Sequence, residues 1–242
     1  MNPDEYTKLA EHERNYWWYV GRLSIIDTYL REFARGKGPL RILNVGCGTG
    51  GTVPLLERLG QVCNIDVSED AIAIMKQAGY EAFQVDGVDL PYPDGSYDLV
   101  VACDVLEHID DDASALREWR RVLRDGGGIL LTVPAYQWLW SGHDVNLHHV
   151  RRHTAGSIRR LAKTARLGLI KDSYAFLSSL PIVIGVRVLH KIRRTTSGSH
   201  VEVPALVNST FIRLLRMEAF LLGHVRLPAG SSVVALLEKS PR

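Results

Sequence analysis

The chain has 242 residues, of which 46% are hydrophobic and 23% are charged, as is ordinary for a folded globular protein. A chain of this length can bury a sizeable core, so it needs neither disulfides nor a structural metal to fold. The three cysteines, at positions 47, 63 and 103, follow no regular spacing, which argues against a disulfide framework and for a reducing compartment. The first five residues are polar and acidic, unlike a signal peptide. We therefore expect a cytoplasmic protein.

The net charge of +2 hides an asymmetry along the chain. Residues 1–140 hold 13 basic and 22 acidic residues, a net charge of −9, whereas residues 141–242 hold 16 and 5, a net charge of +11. A basic second part could attract an anionic substrate, a lipid headgroup or a nucleic acid. Because no nucleic-acid-binding motif accompanies the charges, we predict no nucleic-acid partner and interpret them as a solvated face.

No apolar run reaches the roughly 18 residues of a membrane span. The longest run covers residues 177–186, and Lys191, Arg193 and Arg194 follow it. We favour a buried or lid helix here, and a contact with a bilayer surface is the alternative that stays open.

Alternating strands and helices predict a parallel, doubly wound α/β sheet in the first part of the chain. Helices are predicted over residues 5–34, 55–59, 68–78, 111–124 and 155–165, with inserted helices within 181–223. Strands are predicted over residues 40–45, 62–65, 81–85, 97–103 and 129–133, within 167–176, and over 231–238. Ser68 is the expected N-cap of its helix, and Gly126–Gly128 are expected to end the helix before them. Residues 135–154 are predicted to form a long loop, a feature that is often functional.

A glycine-rich segment, Leu43–Gly50, follows the first predicted strand directly. Glycine permits both a sharp turn and a close approach of the backbone to a ligand. Gly46, Gly48 and Gly51 satisfy the dinucleotide-binding pattern of dehydrogenases, and Gly46, Gly48 and Gly50 satisfy the pattern of methyltransferases. The glycines alone therefore leave two cofactors open.

Four sequence motifs, in order along the chain, distinguish the methyltransferase pattern from the dehydrogenase pattern. They are residues 43–50, residues 64–68, residues 85–98 and residues 101–108. Over about residues 40–135 the chain resembles the class I S-adenosylmethionine-dependent methyltransferases, in particular the small-molecule, type-11-like group. The resemblance implies a Rossmann-like sheet that is mostly parallel with an antiparallel last strand, an N-terminal helical cap, and inserted helices before the last strand.

The resemblance also implies which residues bind the cofactor, S-adenosylmethionine, whose demethylated product is S-adenosylhomocysteine. The glycine loop would pass under the methionine part, Asp66 would accept bonds from both ribose hydroxyls, and Asp86 would bond the adenine amino group. The implied cofactor-binding positions are Arg22, Asn44, Gly46, Cys47, Gly48, Gly50, Asp66, Val67, Asp86, Gly87, Asp104 and Val105.

Two positions depart from the family's usual pattern. Asn44 stands where the family often has a carboxylate, so it can orient the loop or the cofactor but brings no negative charge. Cys47 is a small residue that we interpret as packing rather than as a nucleophile.

Two segments are candidates for the substrate site. Residues 16–19 are four aromatic residues in a row, which cannot all face one core on a helix, so Trp18 is expected to contact substrate and Arg22 to hold the cofactor carboxylate. Packing and a surface arginine are the alternative for this segment.

The second segment follows the fifth predicted strand. Residues 140–152 resemble a Trp-Ser-x-His-Asp…His-x-Arg-Arg pattern of one methyltransferase subgroup. His143 or His149 is the candidate general base, with Asp144 as its orienter, because an imidazole near neutral pKa suits proton removal. The candidate substrate-binding residues are Trp18, Trp140, His143, His149 and Arg152. Structural hydrogen bonding is the alternative, and the spacing does not indicate a metal site.

We therefore predict one methyltransferase domain over residues 1–242. It consists of a helical cap (1–38), a cofactor-binding core (39–135), a substrate loop with a helical lid (136–225) and a last strand (226–242). The expected reaction is methyl transfer to O, N or C of a small organic molecule by in-line displacement. An NAD-dependent oxidoreductase and a non-catalytic, methyltransferase-like binding protein are the alternatives. The sequence does not decide the oligomeric state.

Overall fold

The computed structural model describes residues 15–193 and 203–240. In chain order the helices are α1 (Trp17–Ala34), α2 (Val53–Glu57), α3 (Glu69–Gln77), α4 (Asp112–Val122), α5 (Gly142–Asn146), α6 (Ala155–Thr164), α7 (Leu180–Arg193) and α8 (Ala205–Leu222). The strands are β1 (Leu40–Val45), β2 (Gly60–Asp66), β3 (Ala82–Gln84), β4 (Tyr97–Cys103), β5 (Leu123–Pro134), β6 (Gly168–Ala175) and β7 (Ser232–Glu238). Short 3₁₀ turns cover Leu106–His108 and Gln137–Leu139.

The strands form one sheet in the order β3-β2-β1-β4-β5-β7-β6. Strands β1 to β5 pair in parallel, whereas β7 runs antiparallel to both β5 and β6. Strands β1, β4 and β7 are buried over almost their whole length, as expected where helices cover both faces of a sheet. The predicted Rossmann-like architecture, mostly parallel with an antiparallel last strand, is confirmed.

The two faces of the sheet carry separate cores. On one face α1 and α8 pack on the central strands through residues such as Ile26 and Leu215. On the other face α4 and α6 pack through Trp119 and Ile158, which are both fully buried. A Cβ atom at Gly21 of α1 would overlap the side chain of Leu215, so this glycine lets α1 and α8 approach closely.

The structure corrects the prediction that Gly126–Gly128 end a helix. Helix α4 ends at Val122, and the glycines lie inside β5, which begins one residue later. Two backbone bonds hold this part of the strand, because Gly126 donates to the Lys239 carbonyl and Lys239 donates to the Gly127 carbonyl, both at 2.8 Å. A side chain at Gly128 would overlap the ring of Phe33, so a glycine is needed there for packing rather than for ending a helix.

The predicted loop over residues 135–154 is also partly wrong, because it contains the Gln137–Leu139 turn and helix α5. The Ser141 hydroxyl and the Asp144 carboxylate begin α5 as a capping box, a signal that the sequence contains. The first helix begins at Trp17 in the described residues, and the part of its prediction over residues 5–14 lies outside them.

The carboxyl ends of β1, β2, β4 and β5 meet at one edge of the sheet, because these strands are parallel and adjacent. All the candidate site residues after Arg22 come from segments at this edge. In the described ranges no helix is both long and apolar enough to cross a membrane.

Candidate functional site

The glycine loop joins β1 to α2 and needs its glycines for two separate reasons. Gly46, Gly48 and Gly50 have φ angles of 67°, 54° and 90°, in the left-handed region that glycine adopts at no steric cost. In addition, a Cβ at Gly46 would overlap the side chain of Val105, and one at Gly50 would lie 2.7 Å from the Met75 sulfur. The loop is therefore both tightly turned and closely packed, which leaves its backbone as the surface that a ligand can approach.

Asp66, the last residue of β2, fixes the shape of this loop. Its Oδ2 accepts a bond from the Gly48 N–H and its Oδ1 accepts one from the Ser68 N–H, each at 2.9 Å. A carboxylate has about four acceptor positions, so two backbone bonds do not saturate it. The next residue, Val67, is 70% exposed and presents an apolar surface beside the carboxylate. Ser68 caps α3, as predicted, by accepting from the Ala71 N–H.

Asn44 and Cys47 lie beneath the loop. The Asn44 side chain is 2% exposed and donates to Asn64 Oδ1 at 2.9 Å, and Asn64 in turn donates to the Glu81 carbonyl at 3.0 Å. This amide pair links β1 to β2 beneath the loop. Cys47 is buried, and burial raises the pKa of its thiol to about 12, which agrees with a packing role.

Asp86 and Gly87 follow β3. Asp86 is exposed, and its Oδ1 accepts a bond from the Val88 N–H at 3.0 Å, which is a local turn. The Gly87 carbonyl accepts a bond from the indole N–H of Trp119 at 2.7 Å, and its Cβ position lies 3.0 Å from Val45. The turn is thus anchored on the core while the Asp86 side chain stays accessible.

The aromatic helix α1 meets the end of β4 through Arg22. Its Nε lies 2.9 Å from Asp104 Oδ2, and its Nη2 donates to the Cys103 carbonyl at 3.0 Å. The guanidinium also lies over the Trp18 ring, 5.5 Å from the ring centroid. Trp18, Arg22, Asp104, Thr132 and Phe176 line a small cavity between α1 and the strand ends.

Asp104 itself has a φ of 57°, in the left-handed region, where Asp is one of the few tolerated residues other than glycine. The conformation is held by two bonds to β5, since the Asp104 N–H donates to the Thr132 carbonyl at 2.9 Å and the Thr132 hydroxyl donates to Asp104 Oδ1 at 3.1 Å. Strained residues held by their surroundings are typical of functional sites.

Asp144 organises the segment after β5. It is fully buried, and Arg152 donates to it from Nε at 2.7 Å and from Nη2 at 3.1 Å. It also accepts from the Ser141 N–H at 2.9 Å, and its Oδ1 lies 3.0 Å from His149 Nδ1. Burial raises the pKa of Asp144, but the bonds from His149 and Arg152 outweigh burial and hold this pKa well below its usual range.

Of the two candidate histidines, His149 is the one whose ring nitrogen bonds to Asp144. A carboxylate only accepts, so Nδ1 of His149 donates to Asp144, and in the neutral imidazole Nε2 then presents a lone pair. His143 instead has its backbone N–H bonded to the Ser141 hydroxyl at 3.2 Å. Burial, helped by the charge of Arg187, lowers the pKa of the His143 imidazole to about 4.

Arg152 is placed differently from what a direct substrate contact would require, whereas Trp140 keeps part of its side chain accessible. The Arg152 side chain is 4% exposed and also donates to the Ala135 carbonyl at 3.0 Å, so it holds the segment together. Trp140 is half-buried, and its backbone N–H donates to the Gln137 carbonyl at 3.0 Å.

The structure adds Glu107, which is not among the site residues predicted from the sequence. It lies on the 3₁₀ turn after β4 and is fully buried. Burial, reinforced by the nearby charge of Asp104, raises the pKa of Glu107 well above its usual range. A charged residue directly after the apolar run Val105-Leu106 is the signal that could have identified it.

Residues 43–131 match the family model described as a methyltransferase domain. A protein from Mycolicibacterium smegmatis, named as a probable S-adenosylmethionine-dependent methyltransferase, is 31% identical over 159 residues, which cover 63% of this chain and 60% of that protein. Norajmaline N-methyltransferase from Rauvolfia serpentina is 35% identical over 128 residues, which cover 47% of this chain and 44% of that enzyme. The chain thus spans less than two thirds of the length of these relatives.

Solved structures agree on the fold. The [4+2]-cyclase SpnF superimposes with a TM-score of 0.59 at 20% identity, over 90% of this chain and 81% of that chain. The sheet order and the glycine loop agree with this match. Residues 43–131 of this chain thus match a methyltransferase domain, and the chain is similar to proteins that are named S-adenosylmethionine-dependent methyltransferases.

Proposed function

We propose that this protein transfers a methyl group from S-adenosylmethionine to a small organic acceptor. The observation that carries the proposal is the glycine loop at the end of β1, whose Gly48 N–H is tied to the carboxylate of Asp66 at the end of β2. This geometry places a carboxylate that has acceptor positions left beside a loop whose glycines permit close approach of a ligand, which suits a nucleoside with a vicinal diol.

In this proposal the cofactor lies along the strand ends. The backbone of Gly46–Gly50, including Cys47, runs under its methionine part, Asp66 accepts from the ribose hydroxyls, and Val67 packs on the adenine. Asp86 and Gly87 bind the adenine amino group, and Asp104 and Val105 form the floor beneath the sulfonium. Arg22 holds the cofactor carboxylate at the cavity beside Asp104. Asn44 supports the loop from below rather than touching the cofactor, because its amide is engaged with Asn64.

The acceptor binds at the neighbouring edge, between α1 and the segment after β5. Trp18 and Trp140 supply aromatic surface, while Arg152 acts through Asp144 rather than by contact, because its side chain is almost fully buried. His149 is the acceptor-activating residue, and Asp144 orients it by accepting a hydrogen bond from its Nδ1. His143 lies in the same segment, on α5. As a general base, His149 would take the acceptor's proton at Nε2.

The chemistry is an in-line displacement. A lone pair of the acceptor atom forms the bond to the methyl carbon while the C–S bond breaks, and its electron pair returns to sulfur, which leaves a neutral thioether. The positive charge of the sulfonium disappears during transfer, so the protein mainly places the acceptor and excludes water. The acceptor atom can be O, N or C.

The two alternatives have less support. The classic dinucleotide-binding order is 3-2-1-4-5-6, whereas this sheet inserts an antiparallel β7 between β5 and β6, so an NAD-dependent oxidoreductase is disfavoured. A protein of this fold with a different role stays the second candidate, because SpnF, which has a similar fold, is named a cyclase.

Isothermal titration with S-adenosylmethionine and S-adenosylhomocysteine tests the proposal. We expect one site per chain, and Asp66→Asn should weaken binding about ten- to a hundredfold, because a hydrogen bond to a charged group contributes about 1.5–3 kcal/mol. The control is Asp125→Asn, which changes a half-exposed carboxylate at the opposite edge of the sheet and should leave affinity unchanged. Absence of binding at millimolar cofactor would contradict the proposal.

A further inference from the structure

We propose that Glu107, His108 and His149 form a binding site for a divalent transition-metal ion. Each of the three offers one ligand atom, and these atoms lie within 4.8 Å of one another. The ligand atoms of a tetrahedral site with bonds of about 2.0–2.2 Å are about 3.4 Å apart. Small side-chain rotations would bring the three ligand atoms to such distances. Two imidazoles and one carboxylate are a ligand set that proteins use for zinc.

The strongest indication is the carboxylate of Glu107. Both of its oxygens are fully buried, and in the described ranges neither accepts a hydrogen bond from another residue. The nearby cations are already engaged, since Arg22 pairs with Asp104 and Arg152 pairs with Asp144. A buried carboxylate without a compensating group is costly, and a bound cation would remove that cost.

His149 is held as a metal ligand is normally held. Its Nδ1 is bonded to Asp144 Oδ1 at 3.0 Å, which leaves the Nε2 lone pair directed towards Glu107, whose Oε1 lies 4.0 Å away. A carboxylate that fixes the other ring nitrogen is the usual second partner of a metal-binding histidine. Asp144 is itself anchored by Arg152, so the orientation of the imidazole is fixed before any ion binds.

The third ligand provides access and the backbone provides rigidity. The His108 ring lies edge-on to that of His149, with ring centroids 4.8 Å apart, and it is the exposed member of the set. The Val150 N–H donates to the Glu107 carbonyl at 2.8 Å, which joins the two segments that carry the ligands. An ion could therefore enter from solvent past His108 and reach Glu107 and His149, whose backbone segments are bonded to each other.

This site refines the acceptor-activating role of His149, and in that respect it rests on the proposed function. With an ion bound, Nε2 would be a ligand rather than a base. An acceptor oxygen that binds the ion would lose its proton to water, because a divalent ion lowers the pKa of a bound hydroxyl. Among O, N and C acceptors, the site therefore favours a hydroxyl-bearing substrate.

The test is titration of Zn²⁺ into chelator-treated full-length protein, followed by calorimetry and by thermal unfolding with and without the ion. We expect one Zn²⁺ per chain and a higher Tm when it is bound. Glu107→Gln and His108→Gln should each weaken binding at least tenfold, and Asp144→Asn should weaken it ten- to a hundredfold by releasing His149. The matched control, His148→Gln, changes an exposed neighbouring histidine outside the set and should leave affinity within twofold.

Circular dichroism of each variant separates a lost ligand from a lost fold, and His108→Gln, at an exposed position, keeps the test informative if Glu107→Gln unfolds. Absence of Zn²⁺ binding at 1:1 stoichiometry, or binding that Glu107→Gln and His108→Gln do not weaken, would overturn the inference. S-adenosylhomocysteine is titrated into the same metal-free protein. Binding of the cofactor product without Zn²⁺ binding rejects only the metal site, and the reverse result rejects only the proposed function.

Discussion

Replacing Asp144 by Asn should destabilise the protein strongly, because each oxygen of this buried carboxylate accepts at least two bonds. Oδ1 faces His149 and the Arg152 Nε, and Oδ2 faces the Ser141 N–H and the Arg152 Nη2. Whichever oxygen becomes an amide NH₂ group will oppose two donors. Removal of one partner from a buried ion pair costs about 3–5 kcal/mol, and we expect a loss of about that size.

The assay is urea unfolding followed by tryptophan fluorescence at neutral pH, in which the free energy of unfolding is compared between variants. The control is Asp27→Asn, whose partners Arg31 and Arg58 are 73% and 56% exposed, so its loss should stay below about 1 kcal/mol. In the double variant Asp144→Asn/Arg152→Gln the nearer unpaired cation is gone, while Arg187 stays 3.7 Å from the Oδ2 position, and a coupling of about 1–3 kcal/mol should appear. Equal losses for Asp144→Asn and Asp27→Asn, or zero coupling, would contradict this explanation.

Three further outcomes follow from single side chains. Gly46→Ala should lower the free energy of unfolding by about 1–3 kcal/mol, because a φ of 67° strains any side chain, whereas Gly38→Ala, at an open position, should be near neutral in the same urea assay. Arg22→Gln removes the guanidinium that pairs with Asp104 and that, in the proposed function, holds the cofactor carboxylate. It should weaken cofactor binding about tenfold by calorimetry, since a charge-assisted bond contributes about 1.5–3 kcal/mol. Burial lowers the pKa of His153 to about 4, so the folded state resists its protonation, and the stability that is present above pH 6.5 should be lost as the pH falls towards 4. His153→Gln should reduce the loss between pH 7 and pH 4.5 by about 2–3 kcal/mol in urea unfolding, and an unchanged pH dependence would contradict this.

The elements that were predicted well are those specified by neighbouring residues. Strand β4 and the cap at Ser68 follow from an apolar run and from a polar residue before a helix. The glycine loop was found for the same reason, since Gly46 must satisfy a backbone angle that only a few residues adopt.

The parts that were missed depend on contacts between distant segments. Gly128 resembles a helix terminator, but it pairs with Leu99 and Glu238 in the sheet, and the ring of Phe33, about a hundred residues earlier in the chain, leaves no room for a side chain there. Glu107 and His149 lie on different segments, and only the fold brings their ligand atoms to 4.0 Å. Spacing along the chain therefore indicated Asp144 and the two histidines as candidates but could not choose between His143 and His149.

A crystal structure of the protein with S-adenosylhomocysteine would test the proposed cofactor site most directly. We predict that the product lies across the ends of β1 and β2, with both Asp66 oxygens within hydrogen-bond distance of the ribose hydroxyls and the sulfur above Asp104. Product density at another place, or a ribose that Asp66 does not contact, would show that the proposed site is wrong.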